Sequence, residues 1–158
     1  MNVKIHEPHG SNRYCGPAIM SMLTGKSADS NGPIVKEMRN ISGQRAIRSY
    51  SATNLFEMLK RHGFQPKVTY KSIQKQGLTL NQWLNSDGKD RIGRTFVILA
   101  FHHFFIVQGN KYFDRPYGFN VDVRKAPRVK RRGRMVYAFE VNPDPVPTWS
   151  ELLDLLPS

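Results

Sequence analysis

Only one cysteine occurs in the chain, at position 15, so no disulfide can form within it, and the residue can act only as a thiol. That expectation goes with a reducing compartment. Long hydrophobic runs are missing as well. The longest, Phe96 to Val107, is interrupted by His102 and His103 and falls short of a membrane span. The opening residues, MNVKIHEPHG, lack the apolar centre of a signal peptide. A soluble, cytoplasmic protein without a membrane partner is therefore expected. Acidic residues are scarce, with 12 Asp and Glu against 24 Lys and Arg and a net charge of +12. Such an excess by itself favours long-range attraction to nucleic acid, an anionic membrane surface or an acidic protein, without saying which. The C-x-x-C and H-x-x-x-H spacings of zinc sites are absent. His6 and His9, near Cys15, do not replace them, so neither a metal nor a cofactor is expected.

What is present suffices for one folded domain. The 158 residues are 39% hydrophobic and 23% charged, which excludes wholesale disorder and leaves little room for a second core. The spacing predicts a first helix from about Cys15, with Ala18, Ile19, Met22 and Leu23 turned inward, Pro17 in its first turn and Gly25 as its stop. A short helix over Ile34 to Met38 follows. Another is capped by Ser51 or Thr53, buries Leu55, Phe56, Met58 and Leu59, and ends at Gly63.

Pro66 to Tyr70 reads as a strand, and Thr79 to Leu84 as a short helix with Leu80, Trp83 and Leu84 inward. From Thr95 the chain turns β-branched and aromatic. TFVILAF and HHFFIVQ read as strands, GN as a turn, KYFD as a strand, and VYAFEV, residues 136–141, as a later strand of the same sheet. Helices first and an antiparallel sheet second make an α+β fold. Residues 1–141 form the expected domain. Residues 142–158 form a proline-rich connector and a short helix whose start, Thr148 to Glu151, matches a capping box. Trp149, Leu152, Leu153, Leu155 and Leu156 are expected to dock on the domain's own surface.

Cys15 stands where a helix begins. Unpaired N–H groups and partial positive charge there favour a thiolate, and the same N–H groups can hold the oxyanion of a tetrahedral intermediate. A thiolate nucleophile also needs an imidazole, steadied by a third polar group. Of five histidines, only His102 and His103 fall on a predicted core strand, and adjacent strand residues face opposite ways. If Gly109-Asn110 is a two-residue turn, Gln108 pairs with Lys111. His103, Phe105 and Asp114 then share one face, with Asp114 diagonal to His103. Cys15, His103 and Asp114 are therefore the candidate triad, with His102 pointing away.

The segment NRYCGPAIMSMLTG resembles the nucleophile segment of small papain-like cysteine peptidases, in which Cys-Gly opens the central helix. HFFIVQGNKYFD, residues 103–114, is similar to their other signature, a histidine and an acidic or amide residue on paired strands. The likeness is greatest to small bacterial or phage-encoded members, including the peptidase domains of bacteriocin-processing transporters. It implies a cysteine helix packed on a C-terminal antiparallel sheet and a thiol hydrolase of peptide or isopeptide bonds, with acyl transfer or deamidation open to the same apparatus. One position departs from the pattern. The glutamine that usually lies six residues before the cysteine is replaced by His9, so His9 or Asn12 is the expected second oxyanion donor.

The stretch RKAPRVKRRGR carries seven basic residues in eleven. Read blandly, it is a solvated connection between strands. Read functionally, Arg124, Lys125, Arg128, Lys130, Arg131, Arg132 and Arg134 are an electrostatic patch for nucleic acid or an acidic partner. No aromatic is interleaved within the run, so base stacking is not indicated. The rival to an enzyme is thus a basic binding module on a scaffold that catalyses weakly or not at all.

Overall fold

A computed structural model describes residues 3–72, 77–100, 102–115, 118–126, 133–143 and 149–157. These residues form five α-helices and a six-stranded antiparallel sheet, an α+β fold. The elements are α1 (Cys15–Thr24), α2 (Pro33–Ser42), α3 (Ala52–Arg61), β1 (Lys67–Lys71), α4 (Leu80–Asn85), β2 (Thr95–Ala100), β3 (His103–Gln108), β4 (Lys111–Asp114), β5 (Gly118–Asp122), β6 (Met135–Val141) and α5 (Trp149–Asp154). Strand order is β1-β6-β2-β3-β4-β5, so the latest strand, β6, is threaded between the earliest two.

The two faces of the sheet bury separate cores. Val97, Phe104, Ile106, Phe113 and Phe139 face α1, α2 and α3, while Phe96, Ile98, Phe105, Val107 and Tyr112 face Trp83 and Leu84 of α4. This is the alternation a strand imposes, and with both faces covered it yields the near-continuous apolar runs read from residue 95 onward.

Local chemistry explains most boundaries. Gly25 closes α1 in the left-handed conformation, φ 73°, donating its N–H to the Ser21 carbonyl. Ser51, rather than Thr53, caps α3 by accepting from Asn54 N–H. Thr79 and Gln82 form a reciprocal capping box on α4. Helix α2 is longer than expected. Pro33 opens it and Gly43 ends it, beyond the Ile34–Met38 stretch that apolar spacing marks. Phe56 is only half-buried, its ring edge-on to Phe139 at 6.0 Å. Strand β5 was not expected, being short and half-polar at the sheet edge.

The β3–β4 hairpin has the expected register, with Gln108 opposite Lys111, Val107 opposite Tyr112 and Ile106 opposite Phe113. Arg91, buried ahead of β2, grips its turn. Its guanidinium donates to the Gly109 carbonyl and Asn110 Oδ1, both at 2.8 Å, and to the carbonyls of Leu84 and Gly88, both at 3.0 Å.

The terminal segment departs from expectation. Trp149 is 82% exposed and Leu155 79%, so the leucine-rich helix is not docked on the chain's own surface. Thr148, the cap expected for it, lies outside the described residues. Among the described residues, no helix is long and apolar enough to cross a membrane.

Candidate active site

Two neighbouring segments set the position of Cys15. Gly10 holds a φ of +116°, and a Cβ there would lie 2.5 Å from the Ala28 carbonyl carbon. That contact lets residues 9–12 run beside Ala28, whose N–H donates to the His9 carbonyl while its carbonyl accepts from Asn12 N–H, both at 2.9 Å. The chain then enters α1 through Tyr14, an extended N-cap whose side chain makes no cap hydrogen bond. The first-turn donors are therefore not used up by a cap, and Pro17 supplies none. Gly16 N–H is turned to the Cys15 sulfur, and the N–H of Cys15 itself has no intrahelical partner.

His103 opens β3 and Asp114 closes β4. His103 Nε2 lies 2.6 Å from Asp114 Oδ1, and the other carboxylate oxygen accepts from the Tyr112 hydroxyl. The carboxylate is almost fully enclosed, its side chain 1% exposed against 13% for the imidazole. With Nε2 occupied by Asp114, Nδ1 is the ring nitrogen left for the Cys15 sulfur, to which His103 is hydrogen-bonded.

How α1, under one face of the sheet, reaches side chains of the other face follows from hairpin geometry. A two-residue turn makes Gln108 and Lys111 a hydrogen-bonded pair, so Ile106 and Phe104 also turn their N–H groups toward β4. The β3–β4 ladder stops at Ile106 and Phe113. The next donor, Phe104 N–H, is given to the Cys15 sulfur instead. The sulfur thus stands at the end of the ladder, where His103 meets it with Asp114 behind the ring.

Charge follows this geometry. Burial pushes the Cys15 thiol up. The hydrogen bond from His103, the Phe104 and Gly16 N–H groups and the imidazolium charge outweigh it, and the thiol lies below its ordinary value. Burial pulls His103 down, but the bonds to Asp114 and Cys15 prevail and raise it to about 9. Each group thus favours the charged form of the other.

Of the two expected oxyanion donors, Asn12 has its amide engaged elsewhere. Asn12 is buried, with Oδ1 accepting from Tyr14 N–H at 3.1 Å and Nδ2 donating to the Ile47 carbonyl at 3.4 Å, so it clasps the loop that enters α1. His9 is exposed and its backbone docks on Ser21, six residues or about 9 Å along α1 from Cys15. His102 is excluded from the site for a reason other than strand alternation. It lies in the β2–β3 turn, exposed, with φ 56°. Tyr112 and the Phe104 N–H were missed. The tyrosine had a readable signal, since it lies two residues before Asp114 on one strand and so on the same face.

Of the basic stretch, Arg124, Lys125 and Arg134 fall among the described residues. Arg124 and Lys125 are exposed on a 3-10 turn that follows Asp122, and Asp122 pairs with Lys111, about 10 Å along β4 from Asp114. Arg124 borders a groove with Asn81, Leu84 and Asn85 of α4. Arg134 is exposed, with its guanidinium bonded to the Gly77 carbonyl at 2.9 Å. Arg128, Lys130, Arg131 and Arg132 lie outside the described residues. Among the described residues, no cluster of three or more His, Cys, Asp or Glu is placed to hold a metal. Compared with protein-family models, with curated proteins and with solved structures, the chain matches none.

Proposed function

We propose that the protein is a papain-like thiol hydrolase of peptide or isopeptide bonds, with Cys15 as nucleophile, His103 as general acid–base and Asp114 as the group that orients it. The observation that carries this reading is the continuous line from the Asp114 carboxylate through the His103 ring to the sulfur at the head of α1. A cysteine buried merely as an apolar filler has no need of an imidazole held by an enclosed carboxylate.

The thiolate attacks the substrate carbonyl carbon, and the oxygen takes up the negative charge beside the Cys15 N–H, which has no partner within the helix. His103 gives its proton to the leaving amine, which departs and leaves a thioester. Water, deprotonated by the same ring, then releases the acid and regenerates the thiol pair. The test is incubation of the protein with a mixed peptide pool, followed by mass spectrometry. New termini should arise with wild type and vanish with Cys15→Ala. A pool left uncut by wild type contradicts the reading.

A second reading, a basic binding module with little or no catalysis, is favoured by one observation: the Asn12 amide is engaged with the Ile47 carbonyl rather than held ready to complete an oxyanion hole. It predicts salt-sensitive retention on a nucleic acid or an acidic protein that survives Cys15→Ala, with no cleavage of the pool.

A further inference from the structure

Beside the triad, the molecule carries a second concentration of charge that the reaction chemistry does not use. A groove of about 510 Å³ is walled by Arg13, Arg39, Arg45 and Arg48, with Val35 and Ile47 buried in its floor. Tyr14, the neighbour of Cys15, lines it too. Among the described residues no carboxylate lines the groove, and none of the four arginines makes an ion pair.

Uncompensated cations normally swing into solvent, but Arg39 is tied down. Its guanidinium donates to the Ser30 carbonyl on one wall and to the Arg45 carbonyl on the other, at 3.5 Å, while its buried Nε has no acceptor. Arg39 thus joins the two walls through neutral carbonyls, which leave its charge without a balancing anion. Arg13, Arg45 and Arg48 are exposed around it.

We propose that this groove is a recognition subsite for a peptide carboxylate, either an Asp or Glu side chain or a chain terminus. Calling its ligand a substrate rests on the hydrolase reading above. Guanidinium groups match the planar carboxylate, and the Val35–Ile47 floor suits the methylenes that carry it. Tyr14 adjoins Cys15 in the chain and lines the groove, which brings a segment bound at the sulfur within reach of it. A nucleic-acid strand is the poorer fit, because it needs a run of stacking surfaces and the groove offers one aromatic, Tyr14.

Fluorescence anisotropy on Cys15→Ala protein tests this with labelled twelve-residue peptides: a Glu-Glu peptide blocked at both ends, its Gln-Gln counterpart, and the Gln-Gln peptide with a free C-terminus. One of the carboxylate peptides should bind about tenfold tighter than the blocked Gln-Gln peptide, and which one it is identifies the source of the group. The preference should shrink with added salt and disappear in Arg45→Glu/Arg48→Glu. Equal affinities, or a preference that survives the double substitution, overturn the subsite. So does a labelled oligothymidine that binds tighter than every peptide and is lost in the double variant. Thermal melting checks that variant's fold, and Arg48→Gln, which only removes one exposed charge, replaces it if it fails. Cleavage is scored separately with wild type. Intact carboxylate preference without cleavage sinks the hydrolase and keeps the groove's ligand, whereas cleavage indifferent to the carboxylates sinks the subsite.

Discussion

His103 and Asp114 sit on neighbouring strands with Nε2 and Oδ1 2.6 Å apart, and the carboxylate behind that contact is almost sealed from water. A carboxylate so placed does two things to the imidazole. It fixes which nitrogen faces the sulfur, and it favours the protonated ring.

Asp114→Asn keeps the shape and removes the charge. The His103 titration, followed by NMR of its ring protons, should fall from about 9 toward the ordinary value of about 6.5. Any peptide cleavage should drop by about a hundredfold or more. A titration that stays near 9 would mean that Asp114 does not govern the ring.

Tyr112→Phe deletes the hydroxyl that donates to the second Asp114 oxygen and leaves that buried oxygen unsatisfied. Denaturant unfolding should show a loss of about 1–3 kcal/mol. His103 should titrate higher than in wild type, because the carboxylate loses a competing donor. No change in either quantity would contradict the assigned positioning role.

These residues show what the sequence makes readable. The Gly109-Asn110 turn has only two residues, so it locks the side-chain parity of both strands, and the shared face of His103 and Asp114 follows by counting. The Phe104 N–H did not follow by counting, because its freedom depends on where β4 ends. Asn12 bonds Ile47, 35 residues away, and no local pattern announces such a clasp. The arginine groove is likewise assembled from segments around residues 13, 39 and 45–48 that are separate in the chain and unremarkable one by one. The basic run at 124–134 is conspicuous in sequence because its charges are contiguous, and within it Arg124 and Lys125 stand at the other end of β4 from Asp114.

Gly16→Ala isolates packing at the base of α1. A Cβ at this position would lie 2.9 Å from Tyr50 Cβ and 3.3 Å from Met38 Cε. Helix propensity favours alanine by less than this crowding costs, so a net destabilisation of about 1–3 kcal/mol is expected in thermal or denaturant melts. A stabilised variant would show that Tyr50 yields freely.

Stability should carry the imprint of His103. Its folded-state pKa is raised to about 9, so its contribution is complete below about 6.5 and is lost as pH climbs through about 9. The gap in unfolding free energy between wild type and His103→Ala should therefore narrow across that window. A gap that widens with pH would reverse the assignment of the proton.

The rate of Cys15 alkylation by iodoacetamide as a function of pH, in wild type and in His103→Ala, probes the sulfur itself. Wild type should react well below the ordinary thiol range of about 8.5, and His103→Ala should shift the profile upward and slow reaction at neutral pH. Superimposable profiles with an ordinary thiol midpoint would show that the imidazole does not activate the sulfur, and the hydrolase reading would fall with it.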